Sequence, residues 1–131
     1  MSSFELYILK ILQRERCVFE REKTFSDLRG GKYRFDFYIP DYKGKQLLIE
    51  VDGEQHFWQV KHFQKTKNDF KKTQEHDRRK NRYALSHNIT LIRLPFWEIN
   101  NIFTIEDMLQ SQFIVKDKYH NDNIKVPSLH K

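Results

Sequence analysis

Cysteine is all but missing from this chain of 131 residues. One thiol, Cys17, can close no intramolecular disulfide and cannot found a zinc site built mainly on thiolates. No stretch approaches the ~18 continuous apolar residues of a membrane span. The N-terminus lacks the cationic segment and apolar stretch of a secretory signal. Internal repeats and low-complexity tracts are also absent. These absences predict a protein that is neither secreted nor membrane-embedded. Its expected setting is a reducing interior, cytoplasm or nucleoid, whether the coding genome is cellular, viral or phage.

What is present reads as globular. Hydrophobic residues make up 38% and charged residues 32% of the chain. A chain of this length fits one domain, with roughly two thirds of its unfolded surface buried in one core. The net charge of +6 is unevenly placed. Between Trp58 and Arg82 lie nine basic residues (Lys61, Lys65, Lys67, Lys71, Lys72, Arg78, Arg79, Lys80 and Arg82) against three acids, Asp69, Glu75 and Asp77. The rest of the chain is balanced, so this segment holds the whole excess. It reads either as a solvated helix face or as an arm for a polyanion.

Just before this arm sits an acidic constellation. Two strand-like runs, Tyr33–Ile39 and Gln46–Val51, flank the turn segment Pro40-Asp41-Tyr42-Lys43-Gly44. Asp36 lies between Phe35 and Phe37, and Glu50 follows Ile49. A carboxylate buried beside such neighbours costs several kcal/mol or is forced to protonate, unless a cation or hydrogen-bond donors compensate. Asp52, read as a turn former with Gly53 or else as a carboxylate just outside a metal's own ligands, and Glu54 follow, then His56. Carboxylates converging at strand ends, with a histidine beyond a glycine turn, point to a hard-cation site for hydrolysis.

Elsewhere, Ser2 to about Arg14 has helical spacing and opens on the capping-box pattern Ser2-Ser3-Phe4-Glu5. Val18–Phe25 alternates like an edge strand. Ser26–Lys32 is a turn, and Trp58–Asn68 is a loop or a weak helix. Asp69–Ser86 is the longest predicted helix, with Asp77, Asn81 and Ala84 on one face. Ile89–Leu94 is a short apolar strand ended by Pro95, and Thr104–Phe113 a final helix. The order α-β-β-β-α-β-α predicts an α/β (α+β) fold, a four-stranded mixed sheet flanked by helices. The domain is expected over residues 1–113, with 114–131 a polar tail.

From Phe4 to Glu98 the chain resembles the PD-(D/E)XK, or restriction-endonuclease-like, nucleases. More narrowly, it is similar to the EDxHD branch, with its very-short-patch repair and phage-type homing endonucleases. The resemblance rests on Glu5 in the first helix, FDFYIPDY around Asp36, LLIEVDGEQHF from Leu47 to Phe57, EHDRRKN around Asp77, and ITLIRLPFWEI from Ile89 to Ile99. It implies a restriction-endonuclease-like core and Mg²⁺-dependent cleavage of DNA, with Mn²⁺ as a substitute. In that pattern Asp36 is the central metal ligand and Glu50 completes the metal shell. His56 is general base or general acid, Asp77 orients it, and Glu5 binds a metal-linked water. Glu5 has an equal claim as a helix-capping residue.

The chain also departs from the pattern. Asp52 stands where the lysine of D/E-x-K would fall, which favours the histidine branch. The cysteine-rich zinc site of patch-repair enzymes is absent, so mismatch specificity does not carry over. The nucleic-acid contacts expected from the basic arm are Lys61, Lys65, Lys67, Lys71, Lys72, Arg78 and Arg79. Duplex DNA is the expected partner, the enzyme acting as a monomer that nicks or a homodimer that cuts both strands. The alternatives are a nuclease-like fold that only binds nucleic acid, and a ribonuclease or structure-specific nuclease. His62 and His76 read as surface residues, and Trp58, Phe96 and Trp97 as core or shelf aromatics.

Overall fold

A computed structural model describes residues 1–58 and 67–127 of the chain. Helix α1 (Ser3–Arg14) opens on Ser2, whose hydroxyl accepts from the Glu5 amide at 3.1 Å. Strands β1 (Glu20–Lys23), β2 (Phe35–Tyr42) and β3 (Lys45–Asp52) follow as an antiparallel meander. Helix α2 (Lys67–Ser86) then crosses over to β4 (Thr90–Pro95), which pairs parallel with β3. The sheet order is β1-β2-β3-β4, a mixed four-stranded sheet with helices on both faces. Among the described residues, no helix is long and apolar enough to cross a membrane.

The alternation of strand side chains explains the layers. Leu47, Ile49 and Val51 of β3, with Ile92 and Leu94 of β4, pack against Ile8, Ile11 and Leu12 of α1. On the other face Leu48 and Leu91 meet Tyr83 and Ala84 of α2. Burying an aliphatic side chain of this kind contributes about 1.5–3 kcal/mol relative to exposure. The two cores therefore fix the sheet between its helices, and α1 and α2 cannot exchange faces without exposing both.

Several boundaries differ from expectation. The β2–β3 turn is only Lys43-Gly44, both residues at positive φ (52° and 85°), the geometry of a tight hairpin. Pro40 lies within β2 where the register shifts between Ile39 and Tyr42, so its missing N–H breaks no regular ladder. β1 is shorter than Val18–Phe25; Val18 is exposed. The expected helix Thr104–Phe113 is instead one turn, α3 (Ile105–Met108), and a separate 3₁₀ turn, Ser111–Phe113. Extended backbone at Gln110 divides them and lets Ile105, Met108 and Phe113 reach the same core.

Residues 114–127, set apart in the sequence as a polar tail, pack on the sheet edge. Ile114 bridges to Ile92, and the Val115 amide donates to the Leu91 carbonyl at 2.9 Å. A short helix, α4 (His120–Asn123), then docks against α2. The Arg78 guanidinium grips Asp122 there at 2.8 and 3.2 Å.

Candidate active site

One face of β3 changes character along its length. Leu48 is part of the core under α2, but Glu50 and Asp52, on the same side, are carboxylates at 3% and 1% exposure. Arg93 of β4 lies beside Glu50 in the parallel register, also buried. Helix α2 mirrors the change. Its C-terminal half offers Tyr83 and Ala84, while one to two turns earlier Asp77, Lys80 and Asn81 share the sheet-facing stripe. A polar layer therefore forms where the C-terminal end of β3 meets the middle of α2.

Within it, Asp36 and Glu50 oppose each other across β2 and β3. The Asp36 amide donates to Glu50 Oε1 at 2.9 Å, and the Val51 amide donates to Asp36 Oδ2 at 2.7 Å. Glu50 Oε2 pairs with Lys80 Nζ at 3.1 Å, and that ammonium lies 5.0 Å from the Phe35 ring centre. Burial first, and then the Glu50 charge, push the Asp36 carboxyl up to about 8, against the pull of the Val51 amide. Glu5 adds repulsion of the same sign from α1. Asp36 thus sits in an excess of negative charge that a divalent cation with a taste for oxygen would relieve.

Two residues beyond Glu50 lies a second cluster. After Gly53 a single 3₁₀ turn, Glu54–His56, folds the chain back, closed by the His56 amide on the Gly53 carbonyl at 3.1 Å. This brings His56 Nδ1 to 2.9 and 3.1 Å from the Asp77 carboxylate oxygens and 3.6 Å from Asp52 Oδ1. Burial pulls the imidazole pKa down, but the Asp52 charge and the Asp77 hydrogen bond outweigh it and raise it to about 9. Burial likewise opposes the ionised form of Asp77, yet Arg93 and His56 hold its carboxyl below the ordinary value.

Arg93 is the hub. Nη1 donates to Asp52 Oδ1 and Oδ2 at 2.9 and 3.2 Å, Nε donates to Asn81 Oδ1 at 2.7 Å, and Nη2 lies 3.5 Å from Asp77 Oδ1. Asn121, from α4, donates to Asp52 Oδ2 at 2.9 Å, and Asn81 donates to the Lys118 carbonyl at 3.1 Å. Every member is satisfied, as a buried polar network must be.

Glu5 lines a cleft of about 360 Å³ with Phe4, Val51 and Gly53 beside the carboxylates. Phe4, Phe57, Trp58, Phe96 and Trp97 pack near it as a chain of rings; Phe57 and Trp97 are 4.8 Å apart. Of the expected nucleic-acid contacts, Lys67, Lys71 and Lys72 are exposed at the start of α2. Arg78 is committed to Asp122, and Arg79 reaches the Tyr33 hydroxyl at 3.3 Å. Lys61 and Lys65, like His62, lie outside the described residues. Asp36 with Glu50, and His56 with Asp77, are thus each brought together, with Glu5 alongside the first pair. Among the described residues no group of three or more His, Cys, Asp or Glu converges as a ligand set.

Asp52 is not a turn former. It ends β3 fully buried, and the chain turns only beyond Gly53. Its place on the same face as Glu50 follows from strand alternation. Lys80 and Arg93 fall within the EHDRRKN and ITLIRLPFWEI segments, but the sequence assigns neither a role at the site. Lys80 lies three residues beyond Asp77 on α2, and Arg93 interrupts the apolar run ITLIRL as Asp36 interrupts its own.

No protein-family profile and no solved structure matches the chain. Among curated proteins it is similar to the uncharacterized protein 307L of Invertebrate iridescent virus 6, with 38% identity over 68 residues. The match covers 51% of this chain and 34% of that protein, so the chain spans about a third of its relative's length.

Proposed function

We propose that this chain is a Mg²⁺-dependent DNA endonuclease that hydrolyses phosphodiester bonds, with a restriction-endonuclease-like core of the EDxHD kind. The observation that carries the reading is that the end of β3 brings together a carboxylate pair, Asp36 of β2 with Glu50 of β3, and, after the turn beyond Gly53, a histidine clamped by Asp77. The raised pKa of Asp36 supports a cation there, because the pocket holds more negative charge than it neutralises. Asp36 and Glu50 would hold the metal, with waters filling its remaining positions. Bound Mg²⁺ would polarise a non-bridging phosphate oxygen and lower the pKa of a bound water. His56 handles a proton at Nε2, since Nδ1 is committed to the carboxylates. Asp77 fixes the ring's orientation. Lys67, Lys71 and Lys72 attract the polyanion to a site whose acids would otherwise repel it.

A second reading draws on Lys80. Its ammonium already neutralises Glu50, as would suit a nuclease-like fold that binds nucleic acid without cutting. Supercoiled plasmid, relaxed duplex, single strands and RNA, each with Mg²⁺, Mn²⁺ or EDTA, distinguish these readings when binding and cleavage are measured on the same samples. Mg²⁺-dependent nicking or linearisation of duplex DNA is expected. Binding without cleavage in either metal would leave the binding module, cleavage of RNA alone would make the chain a ribonuclease, and full activity in EDTA would remove the metal from the mechanism.

A further inference from the structure

We infer that Asp52 is a second positioning carboxylate for His56, and that the ring held between Asp52 and Asp77 delivers a proton to the leaving oxygen of the scissile phosphodiester. The inference rests on the nuclease reading above and assigns the direction in which the histidine moves its proton.

One carboxylate is enough to fix the tautomer of a neutral imidazole that is to act as a base. His56 Nδ1 has two, Asp77 Oδ2 at 2.9 Å and Asp52 Oδ1 at 3.6 Å. Asp52 has no freedom to turn away, because Arg93 holds both its oxygens and Asn121 holds Oδ2. The charged groups facing the ring are Asp52 on β3, Asp77 on α2 and Arg93 on β4. Two carboxylates and one guanidinium leave one negative charge uncompensated at the polar centre of the fold. The quartet is neutral only when His56 is an imidazolium, and a net buried charge is what such an interior resists most. The same balance raises the ring's pKa to about 9. At neutral pH the ring therefore carries a proton to give and has little capacity to take one.

In the step, water attacks phosphorus and the bond from phosphorus to the leaving sugar oxygen breaks. The bonding electron pair stays on that oxygen, which takes the proton from His56 Nε2. The surplus proton of the attacking water passes to solvent, and the ring is reprotonated from solvent, giving a phosphomonoester and an alcohol with no redox change.

The test has two arms on the full chain. In the first, side-chain NMR follows the His56 titration without metal. The midpoint should lie well above the ordinary ~6.5 and fall by about one pH unit or more in Asp52→Asn. A wild-type midpoint at or below the ordinary value overturns the inference even if the variant fails to fold, as does an unmoved midpoint in the folded variant. In the second, wild type and His56→Ala cut an ordinary DNA ester and one whose leaving oxygen is replaced by sulfur, a leaving group that needs no proton. The loss in His56→Ala, on the order of 10²–10⁴-fold on the ordinary ester, should shrink to less than about tenfold on the thio-substituted one. Equal losses overturn the donor role. A wild-type chain that cuts neither ester overturns the nuclease reading and the donor role with it, whereas the titration judges the grip of Asp52 on His56 by itself.

Discussion

Asp36 and Glu50 exchange hydrogen bonds with each other's strands: Glu50 accepts from the Asp36 amide, and Asp36 accepts from the Val51 amide. Two carboxylates thereby stand in for main-chain acceptors in the β2–β3 pairing, holding themselves side by side while keeping the strand ends together. The arrangement is costly in charge, and its cost varies with pH.

In the folded chain Asp36 titrates at about 8, against an ordinary 3.8. A raised carboxyl pKa means that the folded state keeps a proton the unfolded chain releases, so stability falls as pH rises from about 4 to about 8. Asp36→Asn removes this dependence. In urea unfolding without metal, wild type should lose up to several kcal/mol relative to Asp36→Asn between pH 5 and pH 8. Parallel curves would place the Asp36 charge elsewhere. Mg²⁺ binding at pH 7 should also release about one proton per ion, read by calorimetry in buffers of differing ionisation enthalpy.

Lys80 supplies a counter-charge to Glu50, and both side chains are nearly buried. Lys80→Met should destabilise the metal-free protein by about 3 kcal/mol, the cost of leaving one member of a buried pair alone. Saturating Mg²⁺ should restore much of that loss if it takes over the neutralisation of Glu50. A melting temperature that drops without recovery in Mg²⁺ would mean that the ion does not reach this carboxylate.

His56→Ala should slow cleavage on the order of 10²–10⁴-fold, and Asp77→Asn less, because the ring survives in the second variant. The double variant should be little slower than His56→Ala, since an orienting group has nothing left to orient. Additive losses in single-turnover rates would separate Asp77 from His56 functionally, despite the 2.9 Å between them.

Charge reversal at the exposed Lys67, Lys71 and Lys72 should weaken duplex binding without regard to sequence. The log–log salt slope should flatten by roughly 0.9 for each phosphate that these side chains no longer neutralise. An unchanged slope would make this part of α2 a solvated face only.

The parts of this fold that are legible in the sequence are so through local chemistry. The apolar run before Glu50 marks β3, helical periodicity marks α2, and acids set among phenylalanine and isoleucine mark Asp36 and Glu50. Asp52 is deceptive because an Asp-Gly pair is ordinarily a turn, although the two-residue period of β3 already puts it on the face of Glu50. Asn121 carries no local signal. It bonds Asp52 from 69 positions away, a pairing that only the packing of α4 on α2 creates. The division of Thr104–Phe113 is equally illegible, because core geometry around Phe113 decides it and helix propensity does not.

The clasp formed by α4 has a consequence for how the molecule is made. A polypeptide emerges from the ribosome N-terminal end first. The sheet and α2 are complete once Pro95 has emerged, but Asp52 still lacks its bond from Asn121, Asn81 its carbonyl at Lys118 and Arg78 its partner Asp122. The buried polar layer is therefore finished last, by a segment synthesised well after both clusters it braces. A nascent chain passes through a stage in which its sheet and α2 are built and its reactive groups are not yet locked in place.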